Sequence, residues 1–113
     1  MHELSLCEQV LDILEQQAQT QQFRQVKAVY LEIGQLSGVE AEAMRFCFDS
    51  VMRHTLADGA TLWIESSPGL AWCERCQQQV KLTARYEPCP FCGHGGLEIQ
   101  AGEQMRIQQL EVI

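Results

Sequence analysis

Positive charge is scarce in this sequence. It has 8 Lys and Arg residues against 15 Asp and Glu residues, and its formal net charge is −7 at pH 7. Proteins that bind nucleic acid or anionic membranes through bulk electrostatics normally carry the opposite sign. The composition therefore argues against nucleic acid and anionic lipid as partners.

Long apolar runs are also absent. No stretch approaches the roughly 18–20 apolar residues of a membrane span, and residues 1–20 lack the basic segment that opens a signal peptide. We therefore expect a cytoplasmic protein that does not associate with membranes. The 113 residues, 46% of them hydrophobic, suit one domain or a domain with a small satellite. Six cysteines in such a chain indicate metal or redox chemistry rather than a disulfide framework.

Two segments have the periodicity of amphipathic helices. Capping-box pairs, Ser5 with Glu8 and Ser37 with Glu40, stand at their starts. The first helix is predicted from about Leu6 to Gln21, and the second ends near residue 54. The apolar residues recur three and four positions apart: Cys7, Val10, Leu11, Leu14 and Ala18 in the first, and Met44, Cys47, Phe48 and Val51 in the second.

Three segments alternate in the manner of β-strands. They are Val26–Ile33, Ala60–Glu65 and the chain after Gly102, in which the alternation changes phase near Gln108 and indicates a bulge. The predicted fold class is α/β, with two helices packed on a small mixed sheet. Residues 1–67 plus 101–113 form this domain, and residues 68–100 form an inserted module.

The inserted module has its own composition. All three prolines, four of the eight glycines and four of the six cysteines lie between residues 68 and 96. Large aliphatic residues are few there, so we expect the module to lack an apolar core and to be held by a metal ion.

Two CxxC knuckles indicate that metal. Cys73 and Cys76 form the first, Cys89 and Cys92 the second, and 12 residues separate them. Four thiolates at this spacing complete a tetrahedral site with no open position, which is typical of structural Zn²⁺ and predicts a zinc ribbon. Iron, as in a rubredoxin-like electron carrier, is the competing metal, because the second knuckle has Pro90 and a following glycine.

Other readings of the cysteines and the module stay open. Cys7 and Cys47 fall on apolar helix faces and are interpreted as buried, inert thiols. His94, two residues after Cys92, is either a loop residue or a group that tunes the site. A zinc ribbon that binds proteins or nucleic acid is an alternative function, but three basic and three acidic residues between residues 68 and 98 cancel.

The chain begins Met1-His2-Glu3. A free terminal amine, the amide nitrogen of residue 2 and the imidazole can close two fused chelate rings, and three such nitrogens suit Ni(II) or Cu(II). On the residues alone, an incidental histidine is the simpler interpretation. Glu3 can likewise be explained as a helix N-terminal charge, and Glu40 as part of a capping box.

These features together resemble the HypA/HybF family of hydrogenase maturation factors. The resemblance extends over essentially the whole chain, from Met1-His2-Glu3-Leu4-Ser5 through Glu32-Ile33-Gly34, Phe46 and Phe48 to the late pair of CxxC knuckles and Leu110-Glu111-Val112. One departure is that Gly93 separates Cys92 from His94, whereas some members have histidine directly after the last cysteine.

The resemblance implies a nickel metallochaperone that is not an enzyme. It implies Ni²⁺ as cargo, bound by Met1, His2 and Glu3 with Glu40 nearby, and Zn²⁺ as a structural ion held by Cys73, Cys76, Cys89 and Cys92. The implied partners are the GTPase HypB and the large-subunit precursor of [NiFe] hydrogenase, or urease in some bacteria. A homodimer is a further state to test.

Overall fold

The structure, a computed structural model, describes residues 2–113, so the predicted nickel ligand Met1 lies outside the described residues. It contains two helices and six strands: α1 (Glu3–Gln21), β1 (Val26–Gly34), α2 (Ala41–Met52), β2 (Thr61–Ser67), β3 (Gly69–Cys73), β4 (Gln78–Leu82), β5 (Glu98–Ala101) and β6 (Met105–Val112). Neither helix is long and apolar enough to cross a membrane.

The chain divides into two compact units. The first contains the described residues up to Leu31, together with Val39–Glu65 and Arg106–Ile113, and the second contains Glu32–Gly38 and Ser66–Met105. Each unit has one sheet: β1, β2 and β6 lie mostly in the first, and β3, β4 and β5 lie in the second. The segment Glu32–Gly38 is thus part of the compact unit that contains the CxxC knuckles.

Helix α1 begins earlier than the sequence pattern indicated. Its N-cap is His2, in extended conformation and without a side-chain cap, and Ser5 lies within the first turn. The predicted capping box of Ser5 and Glu8 is therefore wrong. Glu3, an acidic residue in the first turn, places negative charge beside the exposed amides instead. At the other end, Gln22 adopts a left-handed conformation at φ 59° and terminates the helix.

The second predicted capping box is also wrong. Helix α2 begins at Ala41 with Glu40 as its N-cap. Ser37 forms a turn after β1, because its hydroxyl donates a hydrogen bond to the carbonyl oxygen of Gly34 at 2.7 Å. Gly38 follows at φ 77°, a left-handed conformation that keeps Ser37 outside the helix. The helix ends at Met52, slightly before the expected position.

The first sheet has the strand order β2-β1-β6, which confirms the predicted sheet of three strands. The core of this unit is built from the predicted apolar faces. Its fully buried members include Cys7, Val10 and Leu14 of α1, Val29 and Leu31 of β1, and Met44 and Phe48 of α2. In β6, burial changes phase between Ile107 and Leu110, as the alternation indicated.

The second sheet was not predicted. It has the order β4-β3-β5, with β3 antiparallel to both neighbours and a register shift between Leu70 and Ala71. The module was expected to bury no apolar core of its own, but the structure shows a small buried cluster that also takes in Leu36 from outside residues 68–100. Its buried cluster comprises Leu36, Ala71, Cys73, Val80, Leu82 and Cys89. The core is small, and cysteines supply part of it.

Leu36 is held in the second unit by close backbone packing. Its amide donates to the carbonyl oxygen of Gly102 at 2.7 Å, and the neighbouring Gln35 amide donates to Ser67 at 2.9 Å. Gly102 has φ 95°, and a Cβ there would lie 2.6 Å from the Cα of Gly69. Only glycine allows both this backbone angle and this close approach of the two chain segments.

Two phenylalanines in α2 test the assignment of its faces. Phe48 is 1% exposed and Phe46 is 78% exposed. We expect Phe48→Ala to lower the free energy of unfolding by about 3–5 kcal/mol, because it leaves a cavity in the core. The matched variant Phe46→Ala should change it by no more than about 0.5 kcal/mol. Urea denaturation followed by far-UV circular dichroism measures both, and equal losses would contradict this orientation of α2.

Candidate metal centre

The four knuckle cysteines converge on one point. The sulfur atoms of Cys73, Cys76, Cys89 and Cys92 all lie within 4.8 Å of one another. The sulfurs of Cys73 and Cys92 are 3.7 Å apart, and those of Cys76 and Cys89 are 3.8 Å apart. A tetrahedron with metal–sulfur bonds of about 2.3 Å has edges of about 3.8 Å. The two separations of 3.7 and 3.8 Å match the edges of such a tetrahedron.

Secondary structure sets this geometry. Cys73 is the last residue of β3, and Cys76 lies in the turn that leads to β4. The second knuckle lies in the loop between β4 and β5. There the Cys89 amide donates a hydrogen bond to the carbonyl oxygen of His94. The Gly93 amide donates one to the carbonyl oxygen of Cys89, and both bonds are 2.9 Å long.

Both knuckles turn in the same way. The residue after each second cysteine, Gln77 and Gly93, has a positive φ, of 52° and 75° respectively. The Cys76 amide points toward the sulfur of Cys73 at 3.5 Å. The absence of glycine from the first knuckle thus does not prevent the same turn, although a non-glycine residue is less favourable there.

The surroundings shift the pKa values of two of these thiols in opposite directions. Burial opposes ionisation of Cys89, but the amides of Cys92 and Phe91 stabilise its thiolate, and the pKa falls to about 7. The pKa of Cys76 is raised to about 12. Hydrogen bonding with Cys92 is the largest cause, followed by burial. Four neighbouring thiolates repel one another, so a bound dication is needed before all four can be charged.

The donor set fits a structural ion. Four soft thiolates in a tetrahedron suit Zn²⁺ or iron, and they leave no position open for substrate or water. Two of the four cysteines, Cys73 and Cys89, are buried, and the other two are partly buried. Within residues 2–113, no second cluster of three or more His, Cys, Asp or Glu ligand atoms at this spacing accompanies it.

The N-terminal candidates lie in the first unit, where the starts of α1 and α2 meet. His2 is exposed, and Glu3 is partly buried. The Glu3 carboxylate accepts a hydrogen bond of 3.4 Å from the backbone amide of Glu40, the N-cap of α2. Glu3 and Glu40 are therefore neighbours. Their role as nickel ligands, like that of Met1 and His2, stays a prediction.

The structure also places the remaining sequence candidates. His94 is exposed, and its backbone carbonyl supports the second knuckle. Cys7 is fully buried in the first core, where its thiol donates to the carbonyl oxygen of Met44 at 3.6 Å. Cys47 is partly buried. Sequence reasoning missed Leu36, whose contact with the cysteine cluster joins residues far apart in the chain and leaves no local signal.

The buried thiol of Cys7 should not react in the folded protein. Burial raises the pKa of Cys7 to about 12, and Cys47 and Glu3 add to the effect. The thiolate is the reactive form, so the raised pKa and the burial both oppose reaction of Cys7. We expect iodoacetamide at pH 8 to leave Cys7 unmodified in the native protein and to modify it fully in urea, as measured by peptide mass spectrometry. Native modification of Cys7 as fast as that of Cys47 would contradict its burial.

The sequence matches known proteins over nearly its whole length. Residues 1–112 match the family model described as hydrogenase/urease nickel incorporation, metallochaperone, HypA. Curated relatives named hydrogenase maturation factor HypA, from Rhodopseudomonas palustris strain BisA53 and Acidithiobacillus ferrooxidans strain ATCC 53993, are each 54% identical over 112 residues, covering 99% of both chains.

Solved structures share the fold. The solution structure of the Ni metallochaperone HypA from Helicobacter pylori aligns with a TM-score of 0.72 at 24% identity, covering 100% of this chain and 98% of the other. A second solution structure, of a HypA protein, aligns with a TM-score of 0.68 at 26% identity, covering 100% and 97%. With the four-cysteine cluster and the match over residues 1–112, this chain belongs to the HypA family of hydrogenase/urease nickel-incorporation metallochaperones.

Proposed function

We propose that this protein binds Ni(II) at its N-terminus and delivers it to the large-subunit precursor of [NiFe] hydrogenase in the cytoplasm. The observation that carries the proposal is the family match over residues 1–112, which includes the Met1-His2-Glu3 start. The curated relatives are named hydrogenase maturation factors, which favours hydrogenase as the recipient. The protein acts as a carrier of nickel and has no catalytic role.

The position of His2 supports nickel chelation by backbone and side chain together. As the N-cap of α1, His2 has extended backbone angles, φ −76° and ψ 132°, and its carbonyl oxygen accepts the amide of Leu6 at 3.1 Å. Helix geometry leaves the N-cap amide nitrogen without an intrahelical partner. Deprotonation of that nitrogen for metal binding therefore breaks no bond of the helix.

Glu3 already accepts a hydrogen bond through one of its two carboxylate oxygens. Its carboxylate accepts from the Glu40 amide, and this bond links the starts of α1 and α2. We propose that Met1, through its amine, and His2 supply the main ligands, and that Glu3 supplies a weaker one. The carboxylate is a harder ligand than nitrogen and suits Ni(II) less well.

We propose structural Zn²⁺ for the four-cysteine cluster. Cys73, Cys76, Cys89 and Cys92 enclose a tetrahedral position, so the ion would be retained while nickel is exchanged. HypB, the GTPase implied by the family resemblance, and the hydrogenase precursor are the proposed partners, and nucleic acid is not. A homodimer of the chain is compatible with these roles.

Loss of one zinc ligand should unfold one unit selectively. We expect Cys73→Ala to lose stoichiometric zinc and to disorder the region from about residue 70 to 98, because metal binding supplies on the order of 10 kcal/mol to such modules. The helices of the first unit should persist. Metal analysis and ¹⁵N NMR spectra provide the measurement. One tightly held zinc per chain in the variant would show that Cys73 is not a zinc ligand. A red colour of the wild-type protein would show that the cysteines bind iron instead of zinc.

Loss of the imidazole at residue 2 should remove specific nickel binding. We expect His2→Ala, or an N-terminal extension that blocks the amine, to abolish it, because either change removes a nitrogen from the fused chelate rings. Affinity should also weaken as pH falls, since protons compete for the same nitrogens. Calorimetric titration of Ni(II) into untagged, zinc-loaded protein measures both effects.

His94→Ala is the matched control for the nickel titration. It removes an exposed imidazole in the second unit and should leave Ni(II) affinity unchanged. Zinc content and the circular dichroism spectrum should match those of the wild type in both histidine variants. Equal nickel affinity in the wild type and His2→Ala would place the nickel site elsewhere.

A further inference from the structure

One face of the first sheet carries an exposed aromatic pair. Along β2, Leu62 is buried, whereas Trp63 on the opposite face is 53% exposed. The Trp63 ring stacks on that of Tyr30 in β1, with ring centroids 6.2 Å apart and an angle of 15° between the planes. The pair lies beside a depression of about 320 Å³ lined by both aromatic residues and Glu65.

Acidic groups surround this pair. The Tyr30 hydroxyl donates a hydrogen bond of 2.6 Å to the Glu111 carboxylate of β6, which raises the pKa of Tyr30. Glu65 lies two residues beyond Trp63 in β2, on the same face of the strand, and is exposed. Arg106, a basic residue of β6, already has an interaction partner within the chain. Tyr30, Trp63, Glu65 and Glu111 together are called the aromatic–acidic surface below.

We propose that the aromatic–acidic surface binds an arginine-bearing segment of a partner protein. The guanidinium group would stack on the exposed indole of Trp63 and pair with the Glu65 carboxylate. A planar cation suits this position, because it can contact an aromatic face and a carboxylate at the same time, whereas a lysine ammonium is a compact point charge.

The net charge of the chain favours a basic partner over a second copy of this chain at this surface. The net charge of −7 makes a second copy of this chain a poor occupant, since two acidic surfaces repel each other. A basic segment gains from both the local carboxylates and the overall charge. The surface contains none of the candidate nickel or zinc ligands, so the proposal is independent of the proposed nickel function.

The two tryptophans of the chain provide separate reporters for a test. We propose titration of zinc-loaded, nickel-free protein with an acetylated and amidated tetra-arginine peptide, followed by the indole N–H signals of Trp63 and Trp72 in ¹⁵N NMR spectra. The Trp63 signal should shift and saturate, while the Trp72 signal in β3 should stay in place. A tetra-lysine peptide of equal charge should bind about fivefold more weakly, because it lacks the stacking contribution.

Matched variants separate this surface from general charge attraction. Trp63→Leu and Glu65→Gln should each weaken tetra-arginine binding about fivefold or more, as measured by calorimetry. Glu15→Gln removes the same charge from an exposed position on α1 and should weaken it less than twofold.

Three results would overturn the proposal. They are an unshifted Trp63 signal, equal effects of Glu65→Gln and Glu15→Gln, and a Trp63 signal that moves on dilution without peptide. The last result would indicate a second copy as the occupant.

Discussion

The convergence of four sulfur atoms within 4.8 Å of one another is the constraint around which the second unit is built. As thiols they contribute to an apolar cluster, and as thiolates they would place like charges side by side in a partly buried space. The other buried members of that cluster are one alanine, one valine and two leucines. So few aliphatic side chains cannot offset the conformational entropy of ordering three short strands and a long loop. A bound dication would both neutralise the thiolates and crosslink the two knuckles.

The N-terminal candidate site has the opposite physical character. His2 is exposed and lies outside the helix that it caps, so an incoming protein ligand can approach it without unfolding anything. A closed four-thiolate site exchanges its ion slowly, whereas an open site with few protein ligands exchanges readily. The contrast suits a protein that has to keep one metal and give up another. A hydrogen bond from the Glu40 amide to the Glu3 carboxylate brings the start of α1 next to the start of α2.

The sequence predicted the long, periodic elements and the convergence of the cysteines. The burial of Val10, Leu14 and Phe48 follows from helical spacing, because one turn of a helix brings such residues to one face. Helix starts were less predictable. Ser5 and Ser37 each match a capping pattern, but the actual starts depend on a carboxylate in the first turn and on the left-handed conformation of Gly38. Short strands such as β3 and β5 were missed because four or five residues carry little alternation. Leu36 was missed because its contacts are entirely non-local.

The placement of Leu36 affects how the chain folds during translation and which fragment of it could fold alone. It is 1% exposed within the cluster that the knuckle cysteines complete, yet it precedes β3 by more than thirty residues in the sequence. During translation this leucine emerges well before its partners, so the buried cluster cannot be complete until Cys89 has been synthesised. A peptide cut to the cysteine-rich segment alone would lack it, and would carry an apolar gap beside the metal even with all four ligands present. The segment that binds the ion is therefore shorter than the segment that folds around it.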